Sequence, residues 1–406
     1  MATTIAPGEW AADPARFDLS ALDARFLDDP FPTYARLRRE APVHRNPDGT
    51  VFVTRYRDVE QVLRDPRMSS DQREAWRARL GDTPIAEHNI HVMVFRDPPD
   101  HTRIRRLVAH AFTPRAMAVW EPRVASVVDE LLDESVVGGG MDLIADFAYL
   151  LPLTVIAAMM GVPTGERRRF RRWSAGVTGS LEPRPSPEQV AEGNAVVEDF
   201  KAYLGSLADD RRRHPGDDLM SLLVAAEQDG EKLSELDLLH NAAFLLNAGH
   251  ETTSNLLGNG IDALFRFPDQ WERLKREPGL AAAAVEEMLR FDSPNQIGGR
   301  MPREPLEIEG VPIPAGKFVW ISNGAANRDP DAFAEPDRLD IGRTPNRHLA
   351  FGHGIHVCLG AALARLEARV ALERLIARYP ALRPDGTPTR RRRARHRGFS
   401  SYPVAV

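Results

Sequence analysis

Residues 351–360 read Phe351-Gly352-His353-Gly354-Ile355-His356-Val357-Cys358-Leu359-Gly360, and Cys358 is the only cysteine of the chain. Glycine lets a backbone approach a partner at positions where a Cβ atom would collide. A single cysteine is most often an inert buried residue. The glycines and histidines around this one instead favour a sulfur atom that ligates a large, flat group. We therefore interpret this segment as a ligand-binding loop.

A predicted helix follows the cysteine and bears on its chemistry. Between Leu359 and Tyr379, the apolar residues Leu363, Leu366 and Val370 recur at spacings of three and four, which is typical of a helix with one buried face. The cysteine therefore precedes a helix N-terminus, where unpaired backbone N–H groups carry partial positive charge. Such a position favours the thiolate over the thiol.

The second informative stretch is Ala248-Gly249-His250-Glu251-Thr252-Thr253. It lies within a mostly apolar segment, Ser234 to Phe265, that predicts one long helix with Ser234 as its N-cap. An acid followed by an alcohol inside an apolar helix is costly unless the pair serves a purpose. A zinc-protease motif would need a second histidine at position 254, which is serine. A routine kink, with the Thr252 hydroxyl bonded to a backbone carbonyl, stays open as the plain alternative.

Composition and charge exclude several classes of protein. Among 406 residues, 43% are hydrophobic, which is enough for a large core, and the net charge of −5 disfavours nucleic acid as a partner. One cysteine cannot form an internal disulfide, which favours a reducing compartment. No signal peptide is visible, and the longest apolar run, Phe147 to Pro163, is short for a membrane span. We expect a cytoplasmic protein with no membrane partner.

Helical periodicity dominates the pattern along the chain. Pro32 to Glu40 predicts a short helix, and Asp58 to Ala281 predicts mostly helices. Alternation typical of strands is confined to three segments: Val43–Arg57, Glu304–Val319 and a final strand at Phe399–Val406. The first segment contains an Asp48-Gly49 turn, which predicts a hairpin. Nothing in the sequence reads as a linker. We predict a single domain over residues 1–406, mainly α with small β-sheets (α+β).

Both stretches resemble signatures of the cytochrome P450 family, the haem-thiolate monooxygenases. The family's haem-binding loop is Phe-Gly-x-Gly-x-His/Arg-x-Cys-x-Gly, and residues 351–360 match every fixed position. The family's oxygen-binding helix carries Ala/Gly-Gly-x-Asp/Glu-Thr, which residues 248–252 match. The resemblance implies the P450 fold and haem b as cofactor, with Cys358 as the iron ligand. It also implies that five further residues lie against the haem: Phe351, Gly352, Gly360, Ala248 and Gly249.

The resemblance implies a catalytic pair and a set of propionate ligands. Thr252 would hold iron-bound oxygen and an ordered water, and Glu251 would relay protons from solvent as a general acid. Cationic side chains would grip the haem propionates through charge-assisted hydrogen bonds. Those side chains are His101 and Arg105, one turn apart on a predicted helix, together with Arg300 and His356.

A third motif implies a structural role. Glu287-Met288-Leu289-Arg290 contains an acid and a base three residues apart, a weak signal by itself because such pairs occur on most surface helices. It resembles the family's Glu-x-x-Arg motif, and Arg343 matches the arginine that joins this motif from a later segment. The resemblance implies a buried ion-pair network that holds the cysteine loop.

The resemblance also places a set of residues around the substrate: Phe244, Asn247, Ala248, Gln296, Ile297, Val94 in the loop from His88 to Phe95, and Phe399 in a turn with Ser400. Asn247 and Gln296 are amides in what is often an apolar surface. We expect a mostly hydrophobic substrate of small to medium size, with an oxygen function held by one of these amides. Alternatively, both amides bond the backbone. His88 and His91 make a weak metal site because a third ligand is lacking.

The implied activity is the insertion of one oxygen atom from O2 into a C–H bond, by hydroxylation or O-dealkylation. The sequence shows no flavin, nicotinamide or iron–sulfur module, so a ferredoxin and a ferredoxin reductase are the expected electron donors. Docking would involve arginines such as Arg347 and Arg365. We expect a monomer. Two alternatives are a haem-thiolate peroxygenase or isomerase and a non-enzymatic haem sensor, and neither needs the pair Glu251 and Thr252.

Overall fold

The structure of the protein, a computed structural model, describes residues 16–228 and 233–406. Its described residues form two compact units. The first unit comprises the described residues up to Ser69 together with Asn259–Cys358 and Thr389–Ser400, and the second comprises the described residues of 70–258 together with Leu359–Pro388 and Ser401–Val406. Each unit therefore combines segments that are far apart in the sequence.

Helices make up most of the second unit and outweigh strands in the first, as the periodicity predicts. The α-helices are α1 (Ala24–Asp28), α2 (Phe31–Glu40), α3 (Tyr56–Arg64), α4 (Arg73–Leu80), α5 (Pro84–His91), α6 (Asp100–Ala109), α7 (Pro114–Ser135), α8 (Leu150–Met159), α9 (Arg167–Ser180), α10 (Pro187–Arg213), α11 (Leu219–Gln228), α12 (Glu235–Arg266), α13 (Pro268–Arg276), α14 (Ala281–Phe291), α15 (Asn323–Ala326) and α16 (Ala361–Arg378). A π-helical turn at Leu143–Ala148 precedes α8. Short 3₁₀ helices lie at Met93–Phe95, His110–Phe112, Thr164–Glu166, Pro278–Leu280 and Gly354–His356.

The strands are short. They are β1 (Val43–Arg45), β2 (Val51–Val53), β3 (Met68–Ser69), β4 (Gly140–Asp142), β5 (Ile297–Pro302), β6 (Leu306–Ile308), β7 (Val311–Ile313), β8 (Val319–Ser322), β9 (Arg383–Pro384), β10 (Thr389–Arg390), β11 (Phe399–Ser401) and β12 (Pro403–Ala405). The largest sheet has the order β1-β2-β8-β5-β3, in which only the pairing of β2 with β8 is parallel. Smaller sheets pair β10 with β11, β6 with β7, and β12 with both β4 and β9.

Several predicted elements are confirmed with small shifts. The Ser234 hydroxyl accepts a hydrogen bond from the Asp237 backbone N–H at 3.1 Å, so it caps α12 as predicted. The predicted hairpin forms as β1 and β2, and Gly49 in its turn has a φ of +79°, which favours glycine. The predicted helix after Cys358 is α16. The apolar run from Phe147 is buried around α8. No helix in the described ranges is long and apolar enough to cross a membrane.

Two local predictions are wrong. Residues 399–406 form two strands rather than one, because β11 pairs with β10 while β12 joins β4 and β9 in a different sheet. Phe399 therefore lies in a strand and not in a turn. The segment from His88 to Phe95 is also not a loop, since it forms the end of α5 and a 3₁₀ helix. The missed signal is Thr83, which caps α5, followed by Pro84 at its first position.

Candidate active site

The cysteine loop presents its thiol at the surface of the first unit. The backbone N–H of Cys358 donates to the carbonyl oxygen of Phe351 at 2.9 Å, which closes the loop, and the thiol is exposed. Gly352 and Gly354 have φ values of +69° and +72°. A Cβ atom on Gly354 would lie 2.8 Å from the carbonyl oxygen of Leu63. The glycines are thus required by the shape of the loop, and the loop holds the sulfur outward.

An ion-pair network is buried in the same unit. Arg290 donates two hydrogen bonds of 2.8 Å to the carboxylate of Glu287, and Arg343 donates to both oxygens of that carboxylate at 3.1 Å. Arg290 also donates to the backbone carbonyls of Asn327 and Pro336 at 2.8 Å. The three residues that the Glu-x-x-Arg motif singles out are therefore in contact. They hold α14 against the segment between α15 and the cysteine loop.

The middle of α12 has one accessible stripe. Phe244, Ala248, Gly249 and Thr252 are accessible, whereas their neighbours on the other faces of the helix are buried. The spacing of four between Phe244, Ala248 and Thr252 places these three on one face. The Thr252 hydroxyl donates to the Ala248 carbonyl at 3.0 Å. The kink-type hydrogen bond considered for Thr252 therefore exists, and it leaves the oxygen able to accept a further hydrogen bond.

Glu251 lies beside this stripe and is almost completely buried. It accepts a hydrogen bond of 3.1 Å from the Ser174 hydroxyl on α9. Its neighbour His250 bonds the Tyr149 hydroxyl at 3.1 Å and the Leu246 carbonyl at 2.9 Å. The acid of the pair is thus oriented by a second helix. Ser174 is a residue that the sequence did not single out.

The predicted substrate residues differ in their surroundings. Val94 and Phe244 pack on an apolar cluster of Trp76, Ile90, Val92 and Phe95. Gln296 donates to the Ser293 carbonyl at 2.7 Å and to Asp292 at 3.3 Å. Ile297 is buried in the core of the first unit, and the guanidinium of Arg390 covers the ring of Phe399 at 3.9 Å. The accessible members of the set are Phe244, Ala248 and Val94.

Comparison with known proteins decides the family. The family model for cytochrome P450 matches residues 194–403. The cytochrome P450 monooxygenase PikC of Streptomyces venezuelae is 42% identical over 388 residues, which are 93% of this chain and 90% of that protein. This chain belongs to the cytochrome P450 family. The vitamin D(3) 25-hydroxylase of Pseudonocardia autotrophica is 44% identical over 366 residues, 88% of each chain. The crystal structure of CalO2 matches with a TM-score of 0.91 at 35% identity, covering 96% of this chain and 98% of that one.

The chain is therefore a cytochrome P450 monooxygenase with the P450 fold and a haem cofactor. The residues present fit that cofactor. The Cys358 thiol is exposed, and its thiolate would be a soft anionic ligand suited to haem iron. On α12, the accessible Ala248 and Gly249 carry nothing larger than a methyl group, and a flat group can approach there.

The predicted propionate ligands of this P450 lie on three elements. His101 and Arg105 are one turn apart on α6 in the second unit, and His101 is buried. Arg300, on β5, and His356, in the cysteine loop, belong to the first unit. Arg300 donates to the carbonyl of Gly299 at 2.8 Å. All four are cationic or titratable donors, the chemistry that a carboxylate requires.

A buried carboxyl group in the second unit was also missed from the sequence. Glu367 on α16 is 1% exposed, and neither of its carboxyl oxygens has a hydrogen-bond partner among the described residues. Burial raises its pKa well above the ordinary value of 4.5, and the neighbouring Thr253 hydroxyl acts weakly in the other direction. Burial therefore favours the neutral form of this side chain. The signal was present, because Glu367 interrupts the apolar stripe of Leu363, Leu366 and Val370.

A histidine cluster, defined here as His88, His91 and His240, joins α5 to the start of α12. Nδ1 of His88 lies 3.2 Å from Nδ1 of His240, whose ring stacks on that of His91 at 5.4 Å. Two carboxylates flank the cluster. Asp237 lies 2.8 Å from His91 and 2.9 Å from Arg96. Glu87 lies 3.1 Å from His240 and 2.7 Å from Lys201. No metal-binding group of three or more ligands occurs in the part of the chain that is described.

Proposed function

We propose that this P450 inserts one oxygen atom from O2 into a C–H bond of a small-to-medium hydrophobic substrate, by hydroxylation or O-dealkylation. The observation that carries the proposal is the intact acid–alcohol pair on α12. Glu251 is oriented by Ser174, and Thr252 lies on the accessible stripe one residue further on. A haem sensor needs no such pair. A peroxide-driven enzyme or an isomerase needs no proton delivery from this helix.

In this proposal the cofactor is haem b, with Cys358 as its iron ligand. Bound haem supplies the activation of dioxygen, and electron donation from the thiolate favours O–O cleavage. Phe351, Gly352, Gly360, Ala248 and Gly249 would contact the macrocycle. The propionates would be held by His101, Arg105, Arg300 and His356.

The protein's own chemical task is to deliver protons. The Glu251 carboxylate collects a proton from solvent and passes it toward the Thr252 hydroxyl. Thr252 already donates its own hydrogen to the Ala248 carbonyl, so its oxygen is available to accept from a water. The bond from Ser174 fixes the rotamer of Glu251. Glu287, Arg290 and Arg343 serve structure rather than chemistry, by holding the segment that leads to the cysteine loop.

The substrate would lie against Phe244, Val94 and Ala248, with Asn247 nearby. A substrate role for Gln296, Ile297 and Phe399 stays a prediction, and their buried side chains would have to act through the shape of their neighbours. One relative is named as a vitamin D(3) 25-hydroxylase. That name supports hydroxylation as the reaction.

Further parts of the proposal rest on the family resemblance and the composition. Electrons come from a ferredoxin and a ferredoxin reductase, which dock near the exposed arginines Arg347 and Arg365. The enzyme acts as a cytoplasmic monomer and as one domain over residues 1–406.

The test is turnover of the haem-loaded enzyme with a surrogate ferredoxin, its reductase and NADH. Substrates are first found by optical titration of the ferric protein against terpenoids, fatty acids, aromatics and macrolides. We expect substrate-dependent NADH and O2 consumption with oxygenated product. Glu251→Gln should slow product formation by about 10²-fold, the usual scale for a positioned general acid. Thr252→Ala should consume O2 with little product.

The matched control is Thr253→Val, which removes the adjacent hydroxyl of α12. It should keep product formation close to that of the parent enzyme. Turnover with peroxide that is unaffected by Glu251→Gln would instead identify a peroxygenase. Substrate binding without any consumption of NADH would identify a sensor.

A further inference from the structure

The side-chain amide of Asn247 is the starting observation. Asn247 lies on α12 and is 4% exposed. Neither its Nδ2 nor its Oδ1 has a hydrogen-bond partner among the described residues. Buried amides are almost always hydrogen-bonded, so a buried amide with both ends unpaired needs an explanation.

Two comparisons within the chain separate Asn247 from other amides. Gln296, the second predicted candidate, already uses its amide NH2 on Ser293 and Asp292. Asn255 on α12 also lacks partners for both amide atoms within the described ranges, but every residue from Thr253 to Gly260 is buried. Asn247 instead has an accessible residue, Ala248, directly beside it, and Phe244 one turn before it. Of these amides, Asn247 is the one that lies next to the accessible stripe along the helix.

The surroundings define what such a ligand is like. Phe244 lies one turn before Asn247 and packs in the apolar cluster with Val94, Leu181 and Trp76. Glu251 lies one turn after Asn247 and is held by Ser174. The amide therefore lies between an apolar wall and the acid of the catalytic pair. The amide itself carries no charge and cannot neutralise a buried ion, which favours a neutral ligand group.

We propose that Asn247 positions the substrate by binding a neutral group that both donates and accepts a hydrogen bond, such as a lactam, a primary amide or a hydroxyl. The proposal rests on the proposed monooxygenase function and narrows its substrate class. An amide side chain offers one acceptor and two donors. A substrate that only accepts would leave Oδ1 unpaired, and a pure hydrocarbon would leave both ends unpaired. A site built to bond a polar group discriminates strongly against analogues that lack it.

The test measures the binding of three ring compounds to the haem-loaded protein. Their rings have twelve or thirteen atoms and are nearly equal in size. Laurolactam donates and accepts, dodecanolide only accepts, and cyclododecane does neither. Dissociation constants are measured by calorimetry, which does not require turnover. We expect the wild-type protein to bind the lactam at least about tenfold more tightly than the lactone, with the hydrocarbon weakest. Asn247→Leu should bring the lactam and the lactone to similar affinity while hydrocarbon binding is kept or improved.

The matched control is Asn255→Leu, which removes another buried, unpaired amide from the same helix. It should keep the lactam preference. Equal affinities of lactam and lactone in the wild-type protein, weak binding of all three compounds, or an unchanged preference in Asn247→Leu would overturn the proposal. Failure of the monooxygenase function is seen separately, because a protein that prefers the lactam through Asn247 but forms no product with NADH would refute that function alone.

Discussion

Glu367 is a buried carboxyl group whose neutral form is favoured by folding. In the unfolded chain it has its ordinary pKa of 4.5, and burial raises that pKa well above 4.5 in the native state. The native state therefore binds more protons than the unfolded state at neutral pH. Stability from this group is fully present below about pH 4.5 and is lost as the pH rises toward the native pKa.

Replacement of Glu367 by glutamine removes this cost. We expect Glu367→Gln to raise the free energy of unfolding at pH 7 by up to about 3 kcal/mol, the free energy of protonating an ordinary carboxyl group at that pH. The gain should shrink toward pH 5. Urea unfolding between pH 5 and 8 measures it. Glu373→Gln, a change of a partly exposed acid on the same helix, is the control and should leave the pH dependence unaltered.

Thr252 and Thr253 show how neighbouring residues divide the work at this scale. Both hydroxyls donate to a carbonyl one turn back, at 3.0 and 3.1 Å. Thr252 lies on the accessible stripe, whereas Thr253 is buried beside Glu367. In the proposed mechanism the first acts on a bound group, whereas the second belongs to the packing of α12 and α16.

At the scale of elements, the histidine cluster links α5 to α12 and is sensitive to pH. Burial and nearby cations lower the pKa of His240 to about 3, and burial with the neighbouring His240 lowers the pKa of His88. Burial alone would raise the pKa of Asp237. The hydrogen bond with His91 and the charge of Arg96 outweigh burial and lower that pKa to about 2. His88 and His240 are thus neutral in the folded state at pH 7.

Protonation of the unfolded chain then opposes folding in acid. Below about pH 6.5 the unfolded chain gains protons on these histidines that the native state does not, so stability falls from pH 6.5 toward pH 3. We expect a loss of about 2 kcal/mol from His240 at pH 5. His240→Gln should reduce the slope of stability against pH in urea unfolding. His110→Gln, which changes an exposed histidine, should reproduce the wild-type slope.

The Glu287 network couples α14 to the segment that leads to the cysteine loop. Glu287→Gln removes the charge shared by Arg290 and Arg343, and it leaves the buried Arg290 and the largely buried Arg343 without their counterion. We expect this variant to be destabilised by about 3–5 kcal/mol and to lose haem more readily. Urea unfolding measures the stability, and the haem absorbance measures the loss of haem. The double variant Glu287→Met with Arg290→Met should be less destabilised than Glu287→Gln. Equal destabilisation would show that packing rather than the unpaired charge matters. Arg338→Gln, at an exposed arginine nearby, is the control.

Across the whole molecule, the sequence predicted features that depend on local pattern. The Cys358 loop, the cap at Ser234 and the hairpin around Gly49 are encoded within a few neighbouring residues. The partners of buried polar groups were not predictable, because they come from distant segments. Ser174 reaches Glu251, and His88 reaches His240, only once α5, α9 and α12 have packed. The same reason separates Asn247 from Gln296, whose different bonding depends on tertiary contacts.

Net charge determines how the proposed electron donor approaches. The chain carries a net charge of −5, so a ferredoxin, which is expected to be acidic, is repelled except where cations are concentrated. Arg347 and Arg365 are exposed and flank the cysteine in sequence.

We expect Arg347→Glu and Arg365→Glu each to raise the KM for ferredoxin by roughly threefold or more at low salt, with kcat kept at saturating ferredoxin, because rim charges act mainly on association. The increase should diminish as the salt concentration rises. Arg184→Glu changes an exposed arginine far away in sequence and controls for net charge alone. An equal effect of all three variants would mean that overall charge, and not a docking surface near the cysteine, governs electron transfer.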